Sequence, residues 1–180
     1  MHEIAKEAQR LFTLAHISDI HLSPMPKVKL HQLLSKRFTG YINWQHGRKF
    51  IHRREILDSL TDDLKSRTPD HVAVTGDLTN LGLPQEFAPA ADWLRHVGPS
   101  SDVTVIPGNH DAYVRLTPDK GLSCWQPFME ANPDGRALFK TPPGGFPFVR
   151  RFGDIALIAL SSAVPTLPLN AAGWLGDAQR

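Results

Sequence analysis

Three short stretches of this chain carry side chains that can hold a metal ion or move a proton. They are Asp19-Ile20-His21, Gly76-Asp77 and Gly108-Asn109-His110-Asp111. Together they offer carboxylates, imidazoles and an amide oxygen, a mixed N/O donor set that suits Mn, Fe or Zn. Each stretch alone is ambiguous. Asp-x-His at a strand end is commonly a turn or helix cap, and Gly-Asp or Asn-His-Asp commonly a hydrogen-bonded turn. What gives them weight is what precedes each of them.

The elements that must position these groups are three short apolar runs. Phe12 to Ile17 leads into Asp19, His71 to Thr75 into Asp77, and Val103 to Pro107 into Asn109. Each reads as a buried strand closed by a turn. In open α/β sheets, ligands bind at the C-terminal ends of the strands, so the three stretches are expected at one site. If the backbone stays extended through Ile20, Asp19 and His21 point the same way and can grip one ion, with His16 on the opposite face.

Between the strands lie two helical patterns. Phe50, Leu57, Leu60 and Leu64 fall near helical spacing from about Gly47 to Pro69. Pro84 can open a second helix with Phe87, Ala91, Leu94 and Val97 on one side, and Pro89 predicts a late start or a kink. Strand, helix, strand, helix, strand is the pattern of parallel βαβ units with right-handed crossovers. Beyond Asp111 the spacing predicts a short helix over 123–131 and Pro/Gly-rich loops at 132–135 and 142–145. A hairpin over 148–160 turns at Gly153-Asp154, and a further helix begins near Gly173. Residues before Arg10 read as a polar lead-in.

Composition sets the frame. At 180 residues and 41% hydrophobic content, one sizeable core is affordable, hence a single α/β domain over 1–180. A single cysteine, Cys124, allows no internal disulfide. With no signal-like N-terminus and no long apolar run, the expected location is cytoplasmic. From Leu22 to Arg54 there is no acid but eight cations: Lys27, Lys29, Lys36, Arg37, Arg48, Lys49, Arg53 and Arg54. This basic insert, residues 22–54, is either a solvated face or a partly helical cap. As a cap it would pack Tyr41 and Trp44 inward and draw an anionic substrate or membrane surface towards the site. Nothing points to a specific nucleic acid.

The blocks Asp19-x-His21, Gly76-Asp77 and Gly108-Asn109-His110-Asp111 resemble the first three signature blocks of the calcineurin-like metallophosphoesterases. The text around them is most similar to the bacterial branch that includes class III cyclic-nucleotide phosphodiesterases. Lys36 to Trp44 also resembles, faintly, relatives that cleave the pyrophosphate of a UDP-linked lipid A precursor. The resemblance implies a metallophosphoesterase-like βαβαβ sandwich and hydrolysis of a phosphoester, small or lipid-linked, at a dinuclear centre of two divalent transition metals. It implies Asp19 and His21 on the first metal, Asp77 bridging, Asn109 on the second, and metal-activated hydroxide attacking phosphorus. His110 would protonate the leaving group or stabilise the transition-state charge rather than bind metal.

The resemblance also has a gap. The family supplies later histidines to both metals, and this chain has none after His110. Two accounts follow: an N-terminal portion of a longer protein, completed by a missing C-terminal half or a second copy, or a degenerate relative serving as a non-catalytic scaffold. The intact donors favour the first. A nucleotide-binding α/β domain is disfavoured, because no Gly-x-Gly-x-x-Gly or Walker-type loop follows any strand.

Overall fold

Each donor-bearing stretch leaves a β-strand, and the three strands lie side by side. A computed structural model describes residues 11–117 and 120–180, so the lead-in expected before Arg10 lies outside the described residues. Strands β1 (Leu14–Ile17), β2 (His71–Val74) and β3 (Val103–Val105) form a parallel sheet in the order β1-β2-β3. Ile17 pairs with Val74, and Val74 with Val105. The three C-terminal ends are therefore level, and the chain leaves each of them at one edge of the sheet. Short runs of alternating Val, the residue best suited to a pleated and crowded surface, account for the two better-buried strands.

Among the described residues, five α-helical segments accompany these strands: α1 (Arg37–Asn43), α2 (Lys49–Ile51), α3 (Arg54–Ser66), α4 (Pro84–Val97) and α5 (Pro133–Leu138). Helix α4 carries the core. Phe87, Ala90, Ala91, Trp93, Leu94 and Val97 are buried and belong to one cluster with Val72, Val74, Val103, Val105, Trp125 and Phe128. Pro89 lies inside α4 and does not delay its start at Pro84. The Glu86 carboxylate explains why, because it accepts from the backbone N–H groups of Asn80, Leu81 and Leu83 at 2.7–3.1 Å and fixes the first turn.

The helix expected from Gly47 is broken. A wide helical turn, Trp44–Arg48, continues into α2, which stops at Ile51, and α3 begins only at Arg54. The inward stripe of α3 contains Leu57, Thr61 and Leu64, while Leu60 is exposed. Thr61 enters the core because its hydroxyl is satisfied twice, donating to Leu57 O at 2.8 Å and accepting from Trp93 Nε1 at 3.2 Å.

The second half holds three departures from the expected elements. Asn132-Pro133-Asp134-Gly135 is the start of α5 rather than a loop. The Asn132 side chain accepts from Gly135 N at 2.8 Å, an N-cap with Pro in the first helical position. The stretch 122–128 is a 3-10 helix, and the terminal residues form only one such turn, Asp177–Gln179. The expected hairpin is present as β4 (Phe148–Phe152) and β5 (Ile155–Ala159), antiparallel, with Gly153 in a left-handed conformation. Arg150 of β4 fastens this hairpin to the parallel sheet. Its guanidinium donates to the carbonyls of Glu130 (2.8 Å), Ser100 (2.6 Å), Val103 (2.9 Å) and Pro127 (3.3 Å). Burial lowers its pKa to about 10, which leaves it charged at neutral pH. Replacing it strands several carbonyls that water reaches poorly. Arg150→Met is expected to lower unfolding free energy by about 3 kcal/mol, read from urea denaturation, because each orphaned acceptor costs about 1–3 kcal/mol.

Candidate metal centre

The site is built where the turns after β2 and β3 touch. Gly76 has φ +85°, and a side chain on it would overlap the backbone of Gly108. A side chain on Gly108 would in turn overlap Asp77. Only glycines let the two turns approach this closely. The backbone N–H of His110 then donates to Asp77 Oδ1 at 2.8 Å. Asp111 locks the arrangement from beneath. Its Oδ1 accepts from Thr79 N (2.9 Å) and Thr79 Oγ1 (3.0 Å), and its Oδ2 from Gly108 N (2.9 Å). Burial pushes the Asp111 carboxyl up to about 7, with these hydrogen bonds opposing. It is buried and orients the turn.

The stretch after β1 does not stay extended. Asp19 and His21 both have left-handed backbone, φ 56° and 40°. Ile20 between them is buried in the core. The chain follows the neighbouring turn instead of alternating: Asp19 N donates to Gly76 O, His21 N to Asp77 O and Leu22 N to Leu78 O, at 2.8–3.1 Å. His21 is carried inward as a result, while Asp19 stays exposed at the rim. His16 faces away and is exposed, with Nε2 2.7 Å from Thr75 Oγ1.

Three of the five residues expected at the site converge tightly. His21, Asp77 and His110 are buried, and one ligand atom from each lies within 4.8 Å of the others. Among the described residues this is the one such group of His, Cys, Asp or Glu side chains. His21 Nε2 is 3.9 Å from Asp77 Oδ2. The chemistry of the set fits a divalent transition metal. His21 Nδ1 lies 3.0 Å from Thr79 O, and His110 Nδ1 lies 2.5 Å from Asn80 O. A carbonyl only accepts, so His21 carries its proton on Nδ1 and keeps a lone pair at Nε2. His110 Nδ1 meets its carbonyl at 2.5 Å and the competing Arg48 guanidinium, which can only donate, at 3.2 Å. The closer contact favours the same tautomer and leaves Arg48 beside the ring without a hydrogen bond to it. An anchored outer nitrogen is the usual support of a metal-binding imidazole. Asn109 lies half-buried in an adjoining cavity of about 230 Å³, whose lining also includes Lys36, Arg48, His110 and Tyr113.

The electrostatics are those of a dry pocket with a cationic flank. Burial lowers the pKa of His21 to about 4 and of His110 to about 3, with nearby Arg48 adding to both. Burial raises that of Asp77, and the Asp19 charge pushes the same way. Arg48, Lys36 and His52 reach the site from the basic insert. Arg48 Nη1 stands 3.2 Å from His110 Nδ1. The His52 ring meets that of His21 edge-on at 4.8 Å. Lys36 Nζ lies 4.3 Å over the Tyr113 ring, which stacks on His110 at 5.2 Å. In the sequence Lys36 and Arg48 belong to the acid-free insert expected near the site entrance, and nothing marks His52. The absence of acids across the insert was the one available signal.

Compared with known proteins, the sequence matches the family described as calcineurin-like phosphoesterase over residues 12–176. It is 28% identical over 129 residues to a Synechococcus sp. protein named probable cyclic nucleotide phosphodiesterase, an alignment covering 72% of this chain and 41% of that protein. The chain thus spans about two fifths of the length of that curated relative.

The buried imidazoles give a direct expectation. At about pH 5.5 an exposed histidine is roughly nine-tenths protonated. In metal-free protein His21 and His110 are expected to remain neutral there, each with its proton on Nδ1. Long-range ¹H–¹⁵N spectra read both features, and an imidazolium signature for either ring at that pH would contradict the geometry.

Proposed function

The chain belongs to the calcineurin-like phosphoesterase family, and we propose that it carries the catalytic core of a metal-dependent phosphodiester hydrolase. The observation that carries this reading is the convergence of His21, Asp77 and His110 at the ends of three adjacent parallel strands. In this reading Asp19, His21 and Asp77 hold a first divalent metal, and Asp77 with Asn109 holds a second. Bound there, such metals supply Lewis acidity to the phosphoryl oxygens and acidify water into a nucleophile.

The protein's own groups do the rest. Arg48 and Lys36 attract the phosphoryl anion and orient it in the cavity they share with Asn109. Tyr113 and the Asn80 carbonyl fix the His110 ring, one by stacking and one through Nδ1–H. In the ligand-free chain His110 is neutral; an arriving phosphoryl anion favours its charged form, so a proton is held at Nε2 and passed to the leaving alkoxide. Exclusion of water by the buried walls strengthens each of these interactions. The name of the Synechococcus relative makes cyclic nucleotides the first diesters to try.

A second reading has a specific observation behind it. His110 offers a donor atom within the same compact group as His21 and Asp77, so it can serve as a metal ligand instead. One experiment separates the two. The protein is assayed with Mn²⁺ on bis-p-nitrophenyl phosphate, cyclic AMP and p-nitrophenyl phosphate, and bound metal is measured in parallel. Diesters are expected to be cleaved in preference to the monoester. His110→Asn is expected to lower turnover by about 10²-fold or more with metal content unchanged. Loss of metal in that variant would make His110 a ligand. Absence of both stoichiometric metal and diesterase activity in the parent chain would overturn the proposal.

A further inference from the structure

Helix α1 is turned inside out. Its buried residues are Arg37 and Gly40, while Phe38 and Ile42, four residues apart on one face, are 55% and 41% exposed. The inward side is well explained. Arg37 donates to the carbonyls of Leu81 (3.0 Å from Nε) and Gly82, and a side chain on Gly40 would overlap the Tyr113 hydroxyl. The outward side has no such account. It continues the same character on either flank, with Leu30 and Leu34 each 86% exposed, Phe50 69% and Ile51 68%. Single exposed apolar residues are ordinary, but six large ones within 22 residues of sequence are not.

The charges interleaved with them identify the partner. Of the eight cations in the insert, Arg37 is buried, and Lys36 and Arg48 stand beside Tyr113 and His110. Arg53 and Arg54 are neutralised by Glu55 at 3.7 Å and Asp58 at 2.8 Å. Lys27, Lys29 and Lys49 remain, all exposed and each within a few residues of the exposed apolar groups. No acid lies between Leu22 and Arg54 to balance them. A second copy of the same face would set lysine against lysine, whereas an anionic sheet of headgroups complements the charge and accepts the apolar side chains beneath it.

We propose that this outward face, from Lys27 to Ile51, docks on an anionic lipid-bilayer surface. Phe38, Ile42, Phe50 and Ile51 enter the interfacial layer, and the lysines lie along it with their ammonium groups among the headgroups. The docking is independent of whether the metal centre hydrolyses diesters, so each idea fails or stands on its own measurement.

The test is co-sedimentation of the full chain with phosphatidylcholine vesicles, with and without phosphatidylglycerol. The parent is expected to bind the anionic vesicles at least about tenfold more tightly, since each lysine near such a surface is worth about fivefold in partitioning. Phe38→Ser combined with Phe50→Ser and Ile51→Ser is expected to lose about tenfold or more in binding at both low and high salt. Lys27→Gln with Lys29→Gln and Lys49→Gln is expected to lose the preference for anionic vesicles and its salt dependence. The replaced side chains are exposed, and circular dichroism verifies the fold. No vesicle binding by the parent, or undiminished binding by the apolar variant, overturns the proposal. So does a self-associating parent that the apolar variant converts to monomer in sedimentation velocity without change in vesicle binding, which would make this face a contact between copies.

Discussion

The close approach of two glycine turns is the constraint on which the site depends. Gly76 and Gly108 touch backbone to backbone, and that contact leaves room for nothing larger than hydrogen at either position. Because the turns meet there, the His110 N–H reaches Asp77 and the Asp111 carboxylate reaches both Gly108 and Thr79. Two loops separated by about thirty residues of chain thereby become one rigid piece. The level register of β1, β2 and β3 supplies the coarse placement, and the glycine contact supplies the fine one.

Burial then sets the chemical character of the donors. His21 and His110 are held neutral by loss of hydration, with Arg48 adding to the effect, so their lone pairs are available across the ordinary pH range. Asp77 is pushed the other way by the same cause. Were a divalent cation held by these residues, it would reverse that penalty for the Asp77 carboxylate, and the neutral imidazoles would offer it nitrogens with no proton to displace. The cations of the insert sit on the flank of this group without occupying the Nε2 and carboxylate donors.

Much of this was legible in the sequence because strand ends are local features. An apolar run closed by Gly or Pro marks both the strand and the place where its following residues emerge, which is why Asp19, His21, Asp77, Asn109 and His110 could be named. The finer geometry was not local. Asp19 and His21 were expected to alternate on an extended backbone, but hydrogen bonds to the 76–78 segment bend them into left-handed turns, and no pattern of side chains announces that. His52 and Arg48 come from the far end of an insert, so their approach to the site depends on how that insert folds back. Leu60 and Thr61 exchanged their expected places because one hydroxyl found two partners in the core. Helix α5 is legible in the sequence, since Asn132-Pro133 is a helix-start signal as well as loop punctuation.

The left-handed backbone at Asp19, His21 and Asp77 also bears on how stability would trade against the proposed metal site. Asp19, His21 and Asp77 each sit at φ between 40° and 56°, a region that costs a non-glycine residue on the order of 1–3 kcal/mol. Glycine would relax each of them. Asp77→Gly would also orphan the His110 N–H and His21→Gly would leave a cavity, each costing as much as the strain it relieves. Selection for heat resistance alone would therefore be drawn to exposed Asp19, where the gain would remove a proposed metal donor. If Asp19 holds a metal as proposed, a consensus drawn from thermally selected descendants would come out sturdier and poorer in metal, a donor having been exchanged for backbone comfort.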